Sequence, residues 1–92
     1  MTDYDFEEDA LRALADEGNE TAMDRLAELA DARNDVHVLS ELLDEGNEHA
    51  GRLLTRRAVE NRDLRELQRL SDAGSAEADT ELERLLNDGR QR

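Results

Sequence analysis

LADEGNETAMDRL at residues 14–26, LLDEGNEHAGRLL at 42–54 and LSDAGSAEADTEL at 70–82 are three versions of one stretch. Each sets an apolar run before a glycine, a polar residue after it, and a second apolar-periodic run beyond. A glycine just past the last turn of a helix takes the left-handed conformation because it has no Cβ to clash. Asn19, Asn47 and Ser75 then offer a side-chain oxygen to the free N–H groups that open the next helix. Helix, stop, cap and helix predict a helical hairpin. Gly18, Gly46 and Gly74 stand 28 residues apart, so the hairpin recurs with a fixed period.

In that frame the units are 8–35, 36–63 and 64–91, within a single domain of residues 1–92. Leu11/Leu39/Leu67, Leu14/Leu42/Leu70, Asp16/Asp44/Asp72, Ala22/Ala50/Ala78 and Leu26/Leu54/Leu82 fall into shared columns. Duplicated units keep packing and turn residues in register while solvent positions drift. The expected fold is all-α: six antiparallel helices in three tandem hairpins, as a short α-solenoid or bundle. Helices are expected over Asp5–Asp16 (capped within Thr2–Asp5), from Asn19 to near Arg33, and over Val36–Asp44. The others run from Asn47 to near Glu60, over Leu64–Asp72, and over Ala76–Asn87, with Gly89 and the last three residues frayed. Asn34-Asp35 and Asn61-Arg62-Asp63 form the turns between units. The buried stripes are Phe6, Ala10, Leu11, Leu14 and Ala15, then Ala22, Leu26, Leu29 and Ala30, then Val36, Leu39, Leu42 and Leu43.

The 92 residues carry a net charge of −13, with 40% charged side chains and 2% aromatic ones. Tyr4 and Phe6 are the aromatics, so the core is leucine and alanine. Unit one is the most acidic, with nine carboxylates against three arginines. Such a chain is repelled by nucleic acid and by anionic lipid, so direct nucleic-acid binding and membrane association are not expected, and basic partners are favoured. There is no cysteine, hence no disulfide or thiol chemistry. No apolar run reaches membrane-spanning length and the acidic start is unlike a targeting peptide, so a cytoplasmic protein is expected.

Ala15–Leu26 reads A-x-x-G-N-x-x-A-x-x-x-L, and 43–54 repeats it with Leu43 in place of the first alanine. This run resembles the core of Sel-like repeats, relatives of the tetratricopeptide family. There, too, glycine joins two helices and a small alanine lets them approach. Those repeats usually run longer, carry aromatics after the leucine and have a glycine-rich linker. Here the period is 28 and the linker is a turn such as Asn61-Arg62-Asp63, which leaves TPR-like and HEAT-like hairpin geometries open. The resemblance implies a protein-interaction scaffold and carries over no catalytic residue.

Chemistry-bearing constellations are few. His37 and Glu41 are four apart, a two-ligand pair that does not make a metal site, and Gly46 interrupts the helix between Glu45 and His49. Carboxylate pairs such as Asp16-Glu17 and Asp44-Glu45 fit solvated faces and helix starts. No phosphate loop, nucleophile triad or cofactor fingerprint occurs, so neither catalysis nor a cofactor is expected.

Arg52, Arg56, Arg57 and Arg62 form a basic spot on the acidic body. Arg57 stands in the column of Leu29 and Leu85, where its stem would pack and its head would pair with Glu60 or with a carboxylate of unit one. Read functionally, the same guanidinium groups grip a carboxylate of a bound peptide. The exposed first-helix columns vary most: Arg12/Ser40/Gln68, Ala13/Glu41/Arg69 and Glu17/Glu45/Ala73. First helices commonly line the inner face of a solenoid, which makes Glu17, Glu41 and Glu45 candidate partner contacts beside Arg52, Arg56 and Arg57. Leu82, Leu85 and Leu86 are a candidate self-association surface. The expected function is a non-catalytic adaptor for a protein with a basic segment. An acidic nucleic-acid mimic ranks second, because twelve arginines interrupt the carboxylates.

Overall fold

The computed structural model describes residues 2–90, with side chains described for residues 8–88. Six helices follow one another: α1 (Thr2–Asp16), α2 (Glu20–Ala32), α3 (Val36–Asp44), α4 (Glu48–Glu60), α5 (Leu64–Asp72) and α6 (Ala76–Arg90), with no strand among the described residues. The all-α hairpin expectation is met. α1 is helical from Thr2 rather than Asp5, and α6 runs on through Gly89 to Arg90 instead of fraying after Asn87. Phe6 and the end at Gln91 and Arg92 lie outside the described side chains.

One device makes all five connections. The first N–H beyond the turn returns to the carbonyl five residues back, as Asn19 to Leu14 (3.1 Å), Asp35 to Ala30 (2.8 Å), Asn47 to Leu42 (2.9 Å), Asp63 to Ala58 (2.9 Å) and Ser75 to Leu70 (3.0 Å). Those bonds satisfy carbonyls that a helix end leaves open. The same five residues open the next helix, their side chains accepting from the N–H of Ala22, Val38, Ala50, Glu66 and Ala78. The middle residue of each connection has positive φ, as at Gly46 (+97°), Asn34 (+61°) and Arg62 (+52°). Glycine takes this conformation freely, and asparagine tolerates it.

Packing follows a simple scheme. The second helices α2, α4 and α6 touch in succession, α3 lies against α2 and α4, and α5 lies against α4 and α6. Among the described residues the backbone of α1 comes close to that of α2 alone, and the backbones of the first helices stay apart, although the long Arg69 side chain reaches from α5 to Ser40 on α3 (3.3 Å). The result measures 52 × 25 × 16 Å, and its radius of gyration of 14.8 Å exceeds the ~12 Å of a sphere-like domain of this length.

This arrangement corrects two expectations. The closely spaced row is made by the second helices, not by the first helices, of which α3 carries Glu41 while Glu17 and Glu45 follow α1 and α3 in the connections. The α1 stripe is also largely open: Ala15 is buried, Leu11 is half-buried, Ala10 is exposed and Leu14 is 44% exposed. Its column mates Leu42 and Leu70 lie on helices that each pack between two second helices, whereas α1 packs on α2.

Elsewhere the core is leucine and alanine as composition requires, with Leu39, Leu54, Leu67 and Leu70 essentially sealed, each worth roughly 2 kcal/mol of apolar burial. Met23 and Ala27 join it because α2 is enclosed by α1, α3 and α4. Val36 and Leu64, at the first position of α3 and α5, stay exposed at the ends of their stripes. Within each hairpin one facing column pair swaps sizes: Ala15 with Met23, Leu43 with Gly51, Ser71 with Asp79. A Cβ on Gly51 would meet Leu43 Cδ1 at 3.1 Å, and Ser71 Oγ donates to Asp79 Oδ1 (3.3 Å). Large answers small, so the helix spacing survives the substitutions.

Candidate functional site

Second helices that touch in a row leave a furrow between each neighbouring pair. Gly46 borders both of the grooves that result and Gly74 borders the second. At the first junction, between α2 and α4, a groove of about 280 Å³ is lined by Glu20, Asp24, Glu48, His49 and Arg52. Its depth is closed by Asn47, which is fully buried and whose Nδ2 donates to Asp24 Oδ1 at 2.9 Å, with Glu20 Oε1 at 3.5 Å.

At the second junction Ser75 takes the place of Asn47 and Arg52 takes the place of Asp24, so that amide–carboxylate bond is missing. Across the junction Ser75 Oγ lies 3.4 Å from Thr55 Oγ1, which itself donates to the Gly51 carbonyl (2.8 Å). The α4–α6 groove is therefore deeper, about 330 Å³, and reaches down to Leu43 and Gly51 beneath a rim of Glu48, Arg52 and Glu77. The furrow continues past Arg56, Glu81 and Arg84 as a shallower space of about 270 Å³.

The six partner contacts expected from the sequence fall in four places. Arg52 borders all three of these spaces and lies with Nη2 3.3 Å from His49 Nδ1. Arg56 lies further along the same furrow. Arg57 turns the other way, pairing with Asp31 Oδ1 (2.6 Å) and donating to Asn34 Oδ1 (2.5 Å), so it clamps α4 to the C-terminal end of α2. There its charge also complements the negative end of the α2 dipole. Glu41 and Glu45 border a cleft between α1 and α3 of about 40 Å³, barely more than one water molecule's share of liquid. Glu41 also lies 3.3 Å from His37. Glu17 is exposed in the α1–α2 connection.

Sequence reasoning missed Gly51, Ser75, Glu48 and Glu77. The signal was present in the columns Met23/Gly51/Asp79 and Asn19/Asn47/Ser75, where unit two or three departs to a smaller residue.

Several other carboxylates are matched by arginines. Glu8 is held below the usual carboxylate range chiefly by its hydrogen bond from Arg33 (2.5 Å), with Arg12 helping and burial opposing. Glu66 and Glu81 likewise raise the pKa of Arg69 and Arg84 by hydrogen bonding to them. Glu48 and Glu77 have no such partner among the described residues. His49 Nε2 is shut off from solvent, and lies 3.4 Å from Glu28 Oε2 without the alignment of a hydrogen bond. Among the described residues no three histidines or carboxylates are grouped to hold a metal ion, and no helix is long and apolar enough to cross a membrane. No family model, curated protein or solved structure matches this chain.

Proposed function

We propose that this chain is a non-catalytic, cytoplasmic interaction module, a small helical-repeat scaffold that binds a basic segment of another protein along its row of second helices. The observation that carries the reading is the pair of open junction grooves, whose rims hold the unpaired carboxylates Glu48 and Glu77 on a chain of net charge −13. Unpaired surface carboxylates steer cationic partners and are desolvated by them at little cost, whereas carboxylates already matched to arginine are not. The resemblance to Sel-like and tetratricopeptide repeats supports the same class of function.

The open furrow supports a binding role over a catalytic one, since general acid–base work by a carboxyl calls for an enclosed, low-dielectric setting. The nucleic-acid mimic ranks second because Arg33, Arg57, Arg69 and Arg84 break the carboxylates into neutralised pairs.

Calorimetric titration with basic, neutral and acidic peptides of equal length, at low and moderate salt, tests this reading. Binding confined to the basic set, and weaker as salt rises, is the expected result. Equal binding of the three sets, or none, rejects it. If lysate captures yield a salt-labile collection of nucleic-acid-binding proteins, indifferent to Arg52→Glu, mimicry takes its place.

A further inference from the structure

We propose that His49 is a proton-operated switch between the two junctions: the neutral ring holds Arg52 at the α2–α4 groove, and protonation turns the ring to Glu28 and releases Arg52 to Glu77 at the α4–α6 groove. The switch is a property of the chain itself and does not depend on the basic-partner reading.

The neutral state follows from which groups donate. A guanidinium only donates, so the contact of Arg52 Nη2 with His49 Nδ1 (3.3 Å) makes Nδ1 the acceptor. The proton of the neutral ring therefore sits on Nε2. That atom is sealed from solvent and has no hydrogen-bond partner, although Glu28 Oε2 lies 3.4 Å away. Buried donors are seldom left unanswered, and here an acceptor stands within reach but out of line. The Glu28 side chain is 58% exposed, which leaves its carboxylate room to swing into line.

Protonation reverses both contacts. With a proton taken up from water, Nδ1 has no lone pair left for Arg52, and the ring and the guanidinium become two cations in contact. At Nε2 the same charge converts a misaligned approach to Glu28 into a charge-assisted hydrogen bond. The other charged groups on this groove are Glu20 and Asp24 from α2 and Glu48 from α4. Asp24 is already engaged by Asn47. Among the described residues, α3, α5 and α6 place no charged group on it.

Arg52 has a place to go. It is exposed, and it also borders the α4–α6 groove beside Glu48 and Glu77. Glu48 borders both grooves, so Glu77 is the carboxylate that only a displaced guanidinium gains. An event at the first junction is thereby carried to the second. His37, 82% exposed beside Glu41 on α3, is the internal control.

NMR titration of the full ¹³C,¹⁵N-labelled chain from about pH 8 to pH 5 covers the histidine range. At the basic end the His49 ring is expected to carry its proton on Nε2. On acidification the Arg52 Nε–H and the carboxyl carbons of Glu28 and Glu77 should move with the midpoint of the His49 ring, not with that of His37. In His49→Gln the Arg52 movement should be lost while circular dichroism stays unchanged, and in His37→Gln it should persist. A neutral ring protonated on Nδ1, an Arg52 signal that stays still through the His49 transition, or one that moves equally in His49→Gln overturns the proposal. Movement of Arg52 without Glu77 overturns the transfer between junctions.

Discussion

Two glycines one turn of sequence apart have opposite physical roles. Gly46 sits at φ +97° with open space around its missing Cβ, so Gly46→Ala carries a purely conformational cost. That cost is about 1–2 kcal/mol, and thermal or urea unfolding should show the loss. Gly51 lies inside α4, where glycine is the poorer helix former. A Cβ there meets the mobile end of Leu43 at 3.1 Å, and Leu43 has the groove to move into. Gly51→Ala should therefore stabilise by about 0.5 kcal/mol. A loss at Gly51 instead would mean that Leu43 is held fixed.

Glu8 supplies a pH dependence. Its carboxyl is held below the ordinary value by Arg33, then Arg12. The ionised form is thus favoured by folding. Its contribution is complete above the unfolded-state value of about 4.3 and disappears as pH falls through the lower folded-state value. Wild type and Glu8→Gln should differ in Tm at neutral pH and converge as acid carries the pH below the folded-state value. A gap that persists in acid would assign the difference to packing.

At the scale of the element, the question is what a shared cap does. Asn19 and Asn47 occupy one column and cap α2 and α4 alike, accepting from Ala22 N–H (2.9 Å) and Ala50 N–H (2.8 Å). Asn47 is also buried and donates to Asp24 across the junction, whereas Asn19 is exposed. Asn19→Ala should cost about 1 kcal/mol and Asn47→Ala about 2 kcal/mol or more, since the second also strands a buried carboxylate contact. Equal losses in denaturant titrations would show that the junction bond contributes nothing beyond the cap.

The turns carry a related lesson. Asn34-Asp35 announces itself by residue type, but Arg62 takes φ +52° with no local preference for it. It does so because Asp63 closes α4 at Ala58 and opens α5 at Glu66, and the residue between has no other way to turn.

For the whole molecule, contacts run between neighbouring hairpins in an elongated stack rather than to a common centre. Stability in such a chain is a sum of unit and junction terms, so protection should grade along it. Native-state hydrogen exchange should find the slowest amides in α4, which touches α2, α3, α5 and α6, and the fastest in α1, which touches α2 alone. Uniform protection across all six helices would mean that the hairpins unfold as one cooperative block.

Helix count, hairpin order and nearly every boundary were legible in the sequence because they depend on local chemistry. A glycine or asparagine that takes positive φ, a cap that bonds three residues ahead, and leucines at helical spacing act within a few residues of themselves. The clamp of Arg57 on unit one was also foreseeable, since its column is otherwise leucine. Which face each helix presents to its neighbours was decided by tertiary structure. Leu14 reads like Leu42 and Leu70 but is exposed, since among the described residues α1 packs on α2 and not between two second helices. Likewise Glu41 and Glu45 read as candidate partner contacts and border only a narrow cleft, while the larger grooves lie between the second helices. The α4–α6 groove arises where Gly51 of one unit meets Ser75 of the next, and no local pattern joins two residues that face each other only after the units have stacked.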